Sequence, residues 1–188
     1  MKTLRKTAEE AYLKYANKII NRETWIDGFI SGIQYKKEYP QSIELCGLLW
    51  DTENLAIGGY EKDGHHYYTW HEAMEAAKSV GKRLPTRAEW EELCNLGSTW
   101  DDELRGYWFG GNCDSDYKDL LFLPAAGLCD ISSGEVTTTR SYGFYWASSL
   151  CGKSNDYASS LYFNAGVVDP LNGGSYSSGF SVRCVQNK

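Results

Sequence analysis

Tyr142-Gly-Phe-Tyr-Trp-Ala-Ser-Ser-Leu150 and Gly179-Phe-Ser-Val-Arg-Cys-Val185 bracket the stretch on which the reading of this chain turns. In the second segment Phe180, Val182 and Cys184 alternate with Ser181 and Arg183, the period of a half-buried strand. Between the brackets Leu161 and Phe163 alternate with Ser160, Tyr162 and Asn164, and the connections are rich in Ser, Gly, Asn, Asp and Tyr. Tyr supplies a large amphipathic area at small entropic cost, while Ser, Gly and Asn supply hydrogen bonds, a mixture suited to contact surfaces. The same composition also describes a turn-rich β region with a merely polar outer face. On either reading Trp146, Leu161, Phe163, Phe180 and Val182 are the inward positions, each contributing on the order of 1.5–3 kcal/mol when buried. Their outward neighbours should tolerate change within roughly 0.5 kcal/mol.

The chain around this stretch has 188 residues, 42% of them hydrophobic, with seven Trp and fourteen Tyr, enough for one well-filled core and an appendage. A net charge of −6 without a clustered Lys/Arg face argues against a nucleic-acid partner. No apolar run is long enough to span a bilayer, and Met1-Lys-Thr-Leu-Arg-Lys-Thr-Ala-Glu-Glu10 has no apolar export region. Synthesis in the cytoplasm without membrane insertion is therefore expected. Six cysteines, Cys46, Cys94, Cys113, Cys129, Cys151 and Cys184, include no C-x-x-C pair, so reduced thiols are expected rather than a zinc site.

Residues 1–41 have a different texture, charged and apolar residues interleaving at helical spacing. Thr7-Ala-Glu-Glu10 reads as a capping box for a helix with the stripe Ala8, Ala11, Tyr12, Tyr15, Ile19. A second helix is expected over 23–38, with Trp25, Phe29 and Ile33 beside Ile26 and Ile30. Such a hairpin could dock on the following domain or drive self-association; a stripe one face wide favours docking. Pro40-Gln-Ser ends this texture, and a domain over 42–188 begins with β character from Ile43 to Trp50. Thr69 caps a helix from Trp70 to Val80 closed by Gly81, with Ala73, Ala76 and Ala77 on its flat face. In Arg83-Leu-Pro-Thr-Arg-Ala-Glu-Trp90, Pro85 halts an extended segment, Thr86 and Glu89 form a capping box, and Trp90 and Leu93 seat the helix on the core. Residues 97–141 read as turn-rich, with short extended pieces at 106–109 and 120–126 pinned by Trp100, Trp108 and Phe109.

Two motif groups carry a resemblance. Arg-Leu-Pro-Thr followed by Glu-Trp (83–90), and Tyr145-Trp-Ala-Ser-Ser with Leu161-Tyr-Phe-Asn and Gly179-Phe-Ser-Val-Arg-Cys-Val185, resemble bacterial Fibrobacter major paralogous and formylglycine-generating-enzyme-like domains. They also resemble the variable proteins of diversity-generating retroelements. The resemblance spans roughly 48–185. It implies an α+β, C-type-lectin-like fold with short irregular β-sheets and two packed helices, to which the N-terminal helical hairpin is added.

In such variable proteins, positions encoded by asparagine-type codons are rewritten through adenine miscopying while the framework persists. Those codons cannot yield Lys, Glu, Gln, Met or Trp. The resemblance places the variable, ligand-binding positions at Phe144, Leu150, Cys151, Asp156, Tyr157, Ser160, Tyr162, Ala165, Val168, Asp169, Leu171, Gly173, Ser175, Tyr176 and Ser177, all of reachable type, within a variable region of about 142–185. Lys153 must then belong to the framework. The partner implied is a protein or glycan on a cell surface, met from a phage tail or bacterial surface assembly.

No catalytic set, cofactor or metal site is expected. His65-His66 and His71 lack third-ligand spacing, and Asp114, Asp116 and Asp119 start like a calcium loop without its Gly and bidentate Glu. The Glu-Pro-Asn or Gln-Pro-Asp sets of calcium-dependent lectins do not occur. An oxidase of the formylglycine-generating kind is the alternative; it needs two neighbouring reactive cysteines, whereas Cys151 and Cys184 are far apart in sequence and Cys184 shares the inward alternation.

Overall fold

The alternation at 180–185 predicts a strand with one wet face, but in a computed structural model of the chain this segment runs between two apolar clusters and is buried on both sides. The structure describes residues 41–111, 120–152 and 156–188. The expected N-terminal helical hairpin, Cys113, Lys153 and the Asp114/Asp116/Asp119 loop lie outside the described residues. Ser42–Lys188 forms one unit.

It opens with a hairpin of β1 (Ser42–Leu45) and β2 (Leu48–Asp51) joined through Cys46 and Gly47. Both turn residues have positive φ, 53° and 74°, the requirement of the two-residue turn whose twist matches its strands. The next hairpin, β3 (Tyr60–Lys62) and β4 (His65–Tyr67), turns the same way at Asp63-Gly64. Helix α1 (Trp70–Ser79) starts at Thr69, whose side chain accepts from the Glu72 N–H while Glu72 returns the bond. It buries Ala73 and Ala77 and ends with Gly81 at φ 73°. Helix α2 (Arg87–Asn95) repeats the device with Thr86 and Glu89 and buries Trp90 and Leu93, as its sequence predicts.

Strands β5 (Ser98–Asp101), β6 (Gly106–Phe109) and β7 (Leu121–Pro124) make an antiparallel sheet; β8 (Leu128–Asp130) and β9 (Glu135–Thr137) make another with β13 (Ser178–Gly179). The central sheet is β10 (Tyr142–Leu150), β11 (Tyr157–Asn164) and β12 (Val167–Ser175), and β14 (Val185–Asn187) pairs with β2. The expected α+β, C-type-lectin-like architecture is thereby corrected. Among the described residues fourteen strands in five small antiparallel sheets outweigh two short helices, and the molecule is mainly β. The reason is local: most of the strands in the stretches read as turns are three or four residues long, too short to display a period, and β12 forms through Pro170, Gly173 and Gly174.

The central sheet is covered on both faces. Tyr145, Ala147, Leu161 and Phe163 enter one core with Trp50, Trp90, Tyr107, Phe109 and Leu121. Trp146 and Ala158 enter a second with Tyr68, Ala73, Leu84, Phe180 and Val182. Residues 180–185 thread between them and bond to five separate parts of the chain: Phe180 exchanges backbone bonds with Tyr68, Ser181 bonds with Phe144 and Trp146, Val182 accepts from Leu55, Cys184 accepts from Asp51, and Val185 exchanges bonds with Arg83. Arg183, 1% exposed, donates through Nη1 to the Asp51 carbonyl and through Nε and Nη2 to Asn54 Oδ1. Asn54 in turn donates to the Tyr145 hydroxyl, which donates to the Pro124 carbonyl. Burial lowers the Arg183 pKa, opposed by Tyr145, Glu53 and Asp51.

Two outcomes follow from this burial. Arg183→Met should cost about 3 kcal/mol, since it strands the Asn54 and Asp51 acceptors, read as a lower urea midpoint at unchanged slope. Burial also pushes Tyr67, Tyr68 and Tyr145 up to about 12 from an ordinary 10.0, and Cys94 and Cys184 up to about 12 from 9.0. The folded chain thus keeps protons that the unfolded chain releases, so stability is complete below about pH 9 and declines as pH rises toward 12. A thermal melt series from pH 8 to 11 should show Tm falling at its alkaline end.

Candidate functional site

Strand β11 organises the expected contact positions, because it pairs with β10 on one side and β12 on the other. Its register sets Phe144 opposite Tyr162, Leu150 opposite Ala158, Tyr157 opposite Ser175, and Tyr162 opposite Asp169. Tyr157 and Tyr162 are five residues apart on this strand, about 17 Å at the usual rise and, by alternation, on opposite faces. Most of the expected positions therefore gather toward the two ends of the sheet rather than on one continuous face.

The first patch gathers at the end of the sheet where β10 stops. Leu150 and Tyr157 are 56% and 47% exposed, Leu150 opposite Ala158 and so on the other side of the sheet end from Tyr157. The Cys151 N–H donates to the Tyr157 carbonyl, and Cys151 lies against Gly173. Ser175 and Ser177 share a hydroxyl bond of 3.0 Å, and the Tyr176 N–H donates to the Asp156 carbonyl. The start of α2 abuts this end, the Arg87 N–H donating to Ser149 Oγ. Leu171, 51% exposed, stands on an irregularity of β12, where Pro170 and Leu171 together oppose the single residue Leu161 of β11 and the Asp169 carboxylate accepts from the Leu171 N–H.

The second patch is an aromatic ladder that climbs out of the core. Trp146 stacks on Phe180 at 4.3 Å, Phe180 on Phe144 at 5.0 Å, and Phe144 meets Tyr162 at 5.2 Å. Tyr142 continues it at 5.9 Å from Tyr162, whose hydroxyl accepts from Asn164. Ala165 is exposed beyond this end, and Val168 is half-buried against the first core opposite Phe163. Ser160 corrects the expectation of an outward position: it is fully buried beside Trp146, its Oγ accepting from Asn172 Nδ2. Its outward alternation was real, but the second core covers that face as well.

Tyr176 has partners that alternation could not reveal. Its ring stacks on Trp70 at 4.7 Å and 14°, with His71 edge-on to both at 5.1 Å. Trp70 is anchored by its indole N–H on the Ala147 carbonyl, and its backbone N–H donates to the Tyr176 carbonyl. Trp70 and His71 therefore belong with the surface that the sequence assigns to the tail alone; the visible signal was the Tyr-Thr-Trp-His run entering α1.

Chemically this surface can hold a ligand by apolar contact, by hydroxyls and by the carboxylates of Asp156 and Asp169. The two cysteines that an oxidase would need have different surroundings. Cys184 is buried in the second core with its thiol pushed up to about 12, and Cys151 is half-buried against Gly173. Among the described residues no group of three His, Cys, Asp or Glu side chains is placed to hold a metal ion. His66 instead meets the Gly58 carbonyl at 2.9 Å. No described helix is long and apolar enough to cross a membrane. Comparisons with protein-family models, with curated proteins and with solved structures give no match to this chain.

Tyr176→Ser, which removes the ring from Trp70, should cost about 1 kcal/mol beyond the change at an exposed site such as Ala165→Ser, measured by chemical denaturation.

Proposed function

We propose that this protein binds a ligand or receptor, a protein or glycan displayed on a cell surface, through the outer ends and connections of β10, β11 and β12. In this reading those positions are diversified from copy to copy on a constant β scaffold, in the manner of the retroelement variable proteins that the tail resembles. The setting is a phage tail or a bacterial surface assembly, and the role is recognition rather than catalysis.

One observation carries the reading. Leu150, Tyr157 and Leu171 are about half exposed on three adjoining strands, while the backbone beneath them is clamped by a core on each face. Large apolar side chains exposed near one another are a feature of contact sites. Rigid aromatics and aliphatics of this kind make effective contact anchors when the chain that presents them is already ordered.

Sequencing of sister copies from related genomes tests the reading. Substitutions at adenine-derived codons should concentrate among the positions named above, and changes spread evenly over 42–188 would overturn it. The physical counterpart is a tolerance experiment. Leu150→Ser, Tyr157→Ser and Leu171→Ser should each shift stability within about 0.5 kcal/mol, whereas Trp146→Ala should lose about 3–5 kcal/mol. Comparable losses from both classes would remove the separation of scaffold from contact surface.

A further inference from the structure

We infer that positions 151 and 173 act as one unit that sets how far the side chain at 151 stands out from the first patch. The role in recognition rests on the binding reading, whereas the coupling itself is a matter of packing. A Cβ built on Gly173 would lie 2.6 Å from Cys151 Sγ, 3.2 Å from Cys151 Cβ and 3.4 Å from the Ala158 carbonyl oxygen. The first of these is closer than real side chains come. Gly173 is not among the glycines with positive φ, so its backbone would accept any L residue. Space alone reserves it for glycine, and the space is taken by Cys151.

Two neighbouring glycines define the contrast. At Gly174 a Cβ would strike Phe180 at 2.4 Å and Trp146 at 3.0 Å, and at Gly143 it would strike the Phe163 ring at 2.1 Å. Those obstacles are buried rings with no freedom to leave. The obstacle at Gly173 is the tip of a half-buried side chain at the end of β10, itself one of the diversified positions. With glycine at 173 the side chain at 151 lies across β12. A larger residue at 173 forces position 151 either to turn outward or to become small. The pair thus has two arrangements with different relief, and the contact surface changes shape through both residues together.

A double-mutant cycle tests the coupling on the full chain. Gly173→Ala should lower the urea midpoint in the parent, and most of that loss should disappear in a Cys151→Gly background. Gly174→Ala, blocked by the core rings, should lose as much in either background. Alkylation of Cys151, read by peptide mass spectrometry at pH 8, should accelerate several-fold in Gly173→Ala as the thiol is turned to solvent. Additive midpoint losses with unchanged Cys151 alkylation would overturn the inference. Every reading is taken without ligand, so failure here leaves the binding proposal standing, and sister copies lacking the expected variation would sink that proposal while leaving the cycle intact.

Discussion

The buried guanidinium of Arg183 is the constraint from which the rest of the scaffold follows. A cation 1% exposed must have every donor placed, because the desolvation of an unpaired charge costs several kcal/mol. Here the partners are neutral oxygens: the Asp51 carbonyl and the Asn54 amide, the latter tied through Tyr145 to Pro124. Meeting that demand brings the end of β2, the loop after it, the middle of β10 and the end of β7 to fixed positions around a single residue. The flanking backbone of 180–185 then bonds to what those elements leave open.

This arrangement explains why polar residues sit inside. An alternating strand is usually read as one buried and one wet face, and that inference succeeds where a sheet has one neighbour. The central sheet has two. Ser160 and Arg183, on the apparently wet positions, are covered by the opposite core and satisfied by Asn172 and Asn54. Ser159 likewise turns its hydroxyl to the Leu150 carbonyl. Small polar side chains with a local partner can be enclosed at little cost, which is why their presence was a poor guide to exposure.

The legibility of the chain was uneven for physical reasons. The first helix was readable to within a residue and the second at its start, since Thr69, Thr86, Glu89 and Gly81 act through contacts only a few positions away. The inward set of Trp146, Leu161, Phe163, Phe180, Val182 and Cys184 was also legible, because large apolar groups have one place to go. The balance of the fold was not. Strands of three or four residues carry no period, and the Cys46-Gly47 turn inside an apparently continuous apolar run was marked only by a single glycine. Of the proposed contact positions, the exposed Leu150, Tyr157 and Leu171 could be anticipated, whereas their division between the faces and ends of the sheet depends on strand parity and the company of Tyr176 on tertiary packing.

The irregularity in β12 bears on something other than recognition. This strand stands at the margin of its sheet, where unsatisfied N–H and C=O groups could template the addition of another chain. Pro170 has no N–H to offer, and the Asp169 carboxylate takes that of Leu171, so the middle of the margin cannot zip onto a foreign strand. Under the proposed reading, outer residues rewritten from copy to copy would sooner or later place a sticky, β-prone sequence there. Pro170 lies outside the proposed variable set, so its interruption of the ladder would persist whichever side chains a copy received, whereas the Asp169 contact would not.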